Sequence, residues 1–149
     1  AAKQVVTYCI RNDIGTLIVG YNTTFQRSSD LGRQMNQVFV GIPFGILRRK
    51  LKYLCEMNGI RYVEQEESYT SMASFWDLDE MPVYGEAGLV PPVFSGRRIC
   101  RGLYQDRSGR RINADVNGAL NIMRKCNIVS LRALYDRGDV DTPVRIRIA

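Results

Sequence analysis

Histidine is absent from the 149 residues. The chain therefore cannot build a Ser-His-Asp triad, a His general base, or a Cys₂His₂ or His₃ zinc centre. Cysteine is scarce too, at Cys9, Cys55, Cys100 and Cys126, and no two form a C-x-x-C pair. A Cys₄ cage would need one thiolate from each of four distant positions, so no zinc is expected. The same scatter suits a reducing compartment better than a disulfide scaffold. No apolar run approaches a membrane span, and the opening AAKQVVTY lacks the apolar core of a signal peptide. The expectation is a cytoplasmic protein with no membrane partner. A glycine-rich phosphate loop is also missing, which argues against a nucleotide-dependent metabolic enzyme. Chemistry, if any, must rest on Asp and Glu, whose oxygens suit a hard cation.

What is present is ordinary for a globular domain: 45% apolar and 24% charged residues, with a net charge of +6. The distribution of that charge is more informative. From Tyr62 to Gly96 there are seven acids and no Lys or Arg; from Arg97 to Arg111 there are six Arg and one acid, Asp106. Two readings stand. One is a solvated acidic loop followed by a solvated basic hairpin. The other is a carboxylate site beside an arm in which Arg97, Arg98, Arg101, Arg107, Arg110 and Arg111 grip phosphates, since the guanidinium fork matches phosphate geometry.

Along the chain, Val5, Val6, Cys9 and Ile10 predict a helix over 2–12, stopped at Asp13-Ile-Gly15. Thr16–Gly20 reads as a buried strand, and 22–37 as loop. Pro43 starts a helix that runs to Asn58-Gly59, with Leu47, Leu51 and Leu54 on one side. Ile60–Gln65 is a second strand, which makes a βαβ unit. Residues 70–112 are irregular and end in one hairpin that turns near Arg107-Ser-Gly109. Asp115 stands where an N-cap belongs, opening a helix to about Cys126. Val144, Ile146 and Ile148 suggest a terminal strand or ordered tail. No internal repeat is evident.

Two carboxylate positions could carry chemistry. Glu66 and Glu67 close a strand, where α/β sheets place ligand sites, and Asp115 opens a helix, where the dipole favours a carboxylate. Together they are raw material for a divalent-metal site. Each has a plain alternative: Asp115 as an N-cap only, Glu66-Glu67 as a solvated strand exit.

The order of three motifs goes further: Leu51-x-Tyr53-x-x-Glu56-x-x-Gly59-Ile60, then Tyr69-Thr70-Ser71, then Asp115-x-Asn117-Gly118-Ala119-x-Asn121-Ile122. This pattern resembles the OrfB/TnpB family of insertion-sequence proteins, relatives of the type V CRISPR effectors and Fanzor proteins, over nearly the whole chain. The resemblance implies an α/β, RNase H-like RuvC nuclease that cuts DNA with two Mg²⁺ ions under the direction of a guide RNA, in the prokaryotic nucleoid. It assigns residues 1–69 to a RuvC-like βαβ portion, 70–112 to an insert, 113–126 to a RuvC-like helix and 127–149 to a tail. Asp115 matches the family's third acid. The usual second acid is missing, because Val19 and Gly20 occupy the acidic positions of the family's strand motif. In rearranged members the Glu comes from just before Tyr-Thr-Ser, where Glu67 stands with Glu66 beside it. Successive strand residues face opposite ways, so only one of the two can join Asp115, and Glu67 is the choice.

Two departures set further expectations. The family's zinc ribbon has C-x-x-C knuckles; here Ser74-Phe-Trp-Asp77 replaces the first and Cys100 alone remains near the second. Such an insert must be held by packing, through Phe75, Trp76, Phe94 and Tyr104, or be loosely ordered. The family's first acid lies upstream of a helix like 2–12, so a partial RNase H-like fold, inactive as this fragment, is expected. The alternative is a decayed copy that binds nucleic acid without cutting.

Overall fold

The computed structural model describes residues 1–22, 44–83 and 92–137. It is mixed α/β, and the chain divides into two compact units, the first spanning Ala1–Glu64 and the second Gln65–Arg147. The loop expected over 22–37, beyond Asn22, lies outside the described residues. So do Pro43 and the tail residues Val144, Ile146 and Ile148.

In the first unit, helix α1 (Ala2–Arg11) leads to strand β1 (Thr16–Tyr21), and helix α2 (Phe44–Met57) leads to strand β2 (Arg61–Glu66), whose last two residues belong to the second unit. The two strands pair in a two-stranded sheet. Arg61 N–H donates to Gly15 O at 2.9 Å, so the strands start side by side, as in a parallel pair. The core is apolar throughout: Ala2, Val6 and Cys9 from α1, Leu51 and Cys55 from α2, and Ile60. Positions 2, 6 and 9 follow the helical repeat, whereas Val5 and Ile10, which the periodicity also placed inward, are exposed.

Both helices end in the same way. Ile14 N–H donates to Cys9 O and Asp13 N–H to Ile10 O; Ile60 N–H donates to Cys55 O and Gly59 N–H to Glu56 O. These are two Schellman motifs, with Asp13 (φ 52°) and Gly59 (φ 68°) at the left-handed position. In each, the preceding Asn reaches back one turn, Asn12 Nδ2 to Tyr8 O at 2.8 Å and Asn58 Nδ2 to Leu54 O at 2.7 Å. The shared signature, Cys-x-x-Asn-(Asp/Gly)-Ile, is a short local repeat visible in the sequence at 9–14 and 55–60. Burial pushes the thiols of both Cys9 and Cys55 up, so they act as small apolar groups.

The second unit corrects two expectations. In place of one hairpin there are three antiparallel strands, β3 (Arg97–Cys100), β4 (Leu103–Gln105) and β5 (Arg111–Asn113), in the order β3-β4-β5. The missed turn is at Arg101-Gly102, where Gly102 has φ 79°, and an irregularity between Arg98 and Cys100 shifts the register. The N-cap of helix α3 (Ala114–Cys126) is Asn113, whose Oδ1 accepts from the Asp115 and Val116 N–H groups at 2.9 and 3.1 Å. Asp115 therefore lies inside the first turn, where its charge still opposes the helix dipole favourably. A short helix, α4 (Arg132–Arg137), follows. Phe75, Tyr104, Ile112, Ala114, Leu120 and Leu131 form the core.

Candidate functional site

The Tyr69-Thr70-Ser71 motif connects the end of β2 to α3. Thr70 Oγ1 and Thr70 N–H both donate to Glu67 O, at 2.9 and 3.2 Å. Thr70 O in turn accepts from Asn121 Nδ2 at 2.9 Å. Asn117, one turn earlier on α3, donates from Nδ2 to Ala73 O at 2.8 Å and accepts the Phe75 N–H on Oδ1 at 3.1 Å. Both Asn side chains are fully buried, and Ser71 packs against Gly118. The Asn-x-x-x-Asn spacing thus places two amides on one face of α3, where they bind the backbone that follows Glu67. The sequence showed these Asn residues as a motif but not what they hold.

The structure separates the two glutamates. Glu66 Oε2 accepts from Lys125 Nζ at 2.5 Å, and Glu66 Oε1 accepts the Ser68 N–H at 2.6 Å. Burial pulls the Glu66 carboxyl up, but the bonds from Lys125 and Ser68 outweigh it and leave the group below the usual carboxylate range. Glu67, partly buried, moves the other way: burial first, then the charge of Glu66, hold its carboxyl above that range. Asp115 is exposed at the start of α3. Among the described residues, no three acidic or Cys side chains gather in a group that could hold a metal. Lys125, which fixes Glu66, carried no signal in the sequence beyond its place in the last turn of α3.

Where the Ser74-Phe-Trp-Asp77 stretch stands, carboxylates hold the backbone. Asp79 Oδ2 accepts the Ser74 and Ser95 N–H groups at 2.8 and 2.9 Å, and Asp77 Oδ2 accepts the Arg107 N–H at 3.0 Å. Asp106 Oδ1 accepts the Arg110 N–H and the Ser108 hydroxyl, both at 2.8 Å. Burial raises the Asp79 carboxyl, and the bonds from Ser95 and Ser74 with the charge of Arg124 bring it below the usual range. Packing adds to this. Phe75 and Tyr104 are fully buried, Trp76 meets Phe75 edge-on at 5.2 Å, and Phe94 tilts against Tyr69 at 5.8 Å. The Tyr104 hydroxyl donates to Met72 O at 2.8 Å, and burial with nearby Asp charges pushes its pKa up to about 12. Four of the seven acids in the stretch without Lys or Arg thus hold structure: Glu64 bonds Arg48, and Glu66, Asp77 and Asp79 are engaged as above.

The six arginines are not equivalent. Arg97, Gln105 and Arg111 stand opposite one another across the three strands, as do Arg98, Tyr104 and Ile112. Because side chains alternate, these rows face opposite ways. Tyr104 and Ile112 define the buried face, so Arg97 and Arg111 lie on the outer one. Arg107 is on the exposed β4–β5 turn and Arg101 on the β3–β4 turn. Arg110 lies over the Trp76 ring at 4.7 Å, a packing role that the sequence did not show.

Residues 44–122 match the family described as Cas12f1-like, TNB domain. No curated protein matches the chain. The matched span covers more than half of the sequence and includes α2, Tyr69-Thr70-Ser71, the three-stranded sheet and most of α3. The chain therefore belongs to the Cas12f1-like TNB-domain family, a TnpB/Cas12-related, nucleic-acid-binding group.

Proposed function

We propose that the chain is the C-terminal, RuvC-like part of a transposon-encoded, RNA-guided DNA endonuclease, with DNA and a guide RNA as partners in the prokaryotic nucleoid. The observation that carries this reading is the family match over 44–122, which spans both Glu67 and Asp115. Their oxygen donors suit Mg²⁺, and Glu67, raised by burial and by the charge of Glu66, is a carboxylate that a cation would help to ionise. Lys125 already neutralises Glu66, which favours Glu67 over Glu66 as the ligand. Two bound Mg²⁺ ions would supply an activated water and charge stabilisation for phosphodiester hydrolysis. The chain's own share is to hold Glu67 through Thr70 and Asn121 and to present Asp115 from the first turn of α3. Arg97, Arg107 and Arg111, with Arg98 from the edge strand β3 and Arg101 from the β3–β4 turn, would contact phosphates. An RNase H-like frame for this part follows from the same resemblance, with a further acid supplied from elsewhere in the protein.

The test is Mg²⁺-dependent cleavage by the full-length protein. Asp115→Ala and Glu67→Ala should abolish cutting, while Glu66→Gln should retain part of it. Undiminished cleavage by Asp115→Ala overturns the assignment. A second reading, a copy that binds nucleic acid without cutting, is favoured by Val19 and Gly20 at positions where the resembling family carries acids. Under that reading the wild type binds but does not cleave, and both variants bind equally well.

A further inference from the structure

A cleft of about 450 Å³ opens between the Phe94–Arg97 stretch and the Gln105–Gly109 turn. That size falls in the usual range for a single small-molecule ligand. Arg97 and Arg107, both exposed, stand on its two sides. Gln105 also lines it; its Nε2 is committed to Gly109 O at 3.1 Å, which leaves the amide oxygen as an acceptor. Asp106 lines it as well, but its Oδ1 is occupied by the Arg110 N–H and the Ser108 hydroxyl. The ring of Phe94, backed by Tyr69, supplies an apolar wall. Gly96 lets the Phe94–Arg97 wall lie close against β4, since a Cβ there would come within 2.6 Å of both Gln105 O and the Tyr104 ring.

We propose that this cleft seats one nucleotide of an unpaired nucleic-acid strand, with its phosphate between Arg97 and Arg107 and its base against Phe94. The assignment rests on the nucleic-acid-binding character of the family and goes beyond it by naming the form of nucleic acid and its seat. Two arginines lining one cleft can bring two guanidinium groups to a single phosphate. A duplex keeps its base faces stacked inside, and only an unpaired strand can offer one to an aromatic ring. A volume of about 450 Å³ has room for one nucleotide and not for a duplex. The amide oxygen of Gln105 is an acceptor for a base amino group.

The experiment is fluorescence anisotropy of this chain with a 12-nucleotide single-stranded DNA and with the matching 12-base-pair duplex, each over a range of salt. The wild type should prefer the single strand. Phe94→Leu should weaken single-strand binding by roughly 5- to 100-fold, leave duplex binding within about twofold, and be rescued by Phe94→Tyr. Arg97→Ala with Arg107→Ala should lower the log–log salt slope on the single strand by roughly 0.7, the contribution of the one phosphate they share. Lys50→Ala, which removes a charge without lining the cleft, should change the slope less. Circular dichroism establishes that each variant is folded, and the Phe94→Tyr rescue separates lost stacking from lost structure. Equal weakening of both DNA forms by Phe94→Leu, or an unchanged slope in the double variant, overturns the seat and leaves the family's binding role standing. A wild type that binds neither DNA overturns both.

Discussion

The two units of the chain are specified by different chemistry. Every buried residue in the core of the first is apolar or a Cys that behaves so, and among the described residues its side-chain polar contacts are at the surface. The second buries Ser68, Thr70, Ser74, Asp106, Asn117 and Asn121 as well as its apolar cluster. Those polar groups mostly bind backbone amides and carbonyls in a stretch, Ser68–Asp79, with almost no regular secondary structure. A buried loop must satisfy its own N–H and C=O groups, and without a ladder or a helix only side chains can do so. The comparison teaches that the candidate site is held by hydrogen bonds whose partners are fixed in number and direction, whereas the βαβ-like half is held by shape and area.

The largest test of that contrast sets Leu51→Ala against Asn117→Leu. Leu51→Ala leaves a cavity in the first core and should cost about 2–5 kcal/mol. Asn117→Leu puts an apolar group of similar size into a fully buried position, which would be harmless if area alone held the second unit. It should instead cost about 1–3 kcal/mol, the worth of one unmet buried group, because the Phe75 N–H loses its acceptor while the Ala73 carbonyl keeps the bond from Asn121 Nδ2. Urea unfolding followed by the fluorescence of Trp76, the single Trp of the chain, reads the second unit directly. A cost below about 0.5 kcal/mol for Asn117→Leu would break the contrast.

Carboxylates within the second unit provide a smaller and signed test. Asp79 is held below the usual carboxylate range, so its folded form binds a proton less readily than its unfolded form. Its contribution is present above the unfolded value of about 3.9 and is lost as pH falls through the depressed folded value. Glu67 is the reverse: its folded carboxyl is raised, so ionising it costs stability as pH rises through the window between the unfolded and folded values. Asp79→Asn, which keeps an accepting oxygen but loses the charge, should destabilise at pH 7 by about 1 kcal/mol, the scale of one ordinary net hydrogen bond, and flatten the loss of melting temperature on acidification. Glu67→Gln should raise the melting temperature at pH 7. A stabilised protein without cleavage activity is the signature of a carboxylate kept for function. Glu67→Gln melting below wild type would make Glu67 a structural acid like Asp79.

The same difference explains what could be read from sequence. The helices at 2–12 and 43–58 and the strands after them follow from apolar periodicity and stop signals, and α1, β1, α2 and β2 lie within two residues of those bounds. Residues 70–112 have no such period. Their Pro and Gly residues announced turns, but one hairpin was expected where three strands stand, because Arg101-Gly102 sits inside a run of Arg that reads as one strand. Asp115 was expected as the N-cap, and Asn113 fills that place. Either residue type can cap, and only the backbone decides between them. In the candidate site, the pairing of Glu66 with Lys125 spans 59 positions and leaves no local trace. The Asn-x-x-x-Asn spacing was visible, whereas its target, the backbone at Thr70–Phe75, is a tertiary fact. The twin Cys-x-x-Asn-(Asp/Gly)-Ile helix ends are local and so legible in principle, but a six-residue match is too short to stand as a repeat.

The smallest expected effect returns to the first unit, at its only ion pair among the described residues. Arg48 Nη1 meets Glu64 Oε2 at 3.2 Å, Glu64 Oε1 accepts the Tyr62 hydroxyl at 2.9 Å, and the Arg48 guanidinium lies 5.5 Å from the centre of the Tyr21 ring. Burial, and then the bond to Glu64, push the Tyr62 hydroxyl well above its usual pKa, so it stays a donor across the neutral range. The arrangement joins α2 to both strands and could be read as a clasp like those of the second unit. Its exposure argues otherwise: the side chains of Arg48 and Glu64 are 34% and 38% exposed, so water competes for both charges and salt screens them. A double-mutant cycle of Arg48→Ala and Glu64→Ala should give a coupling of about 0.2–1 kcal/mol, shrinking as salt is raised. A coupling of about 2 kcal/mol or more, insensitive to salt, would mean that a directional polar contact also specifies the first unit, and the division between a unit held by area and a unit held by hydrogen bonds would fail at its simplest point.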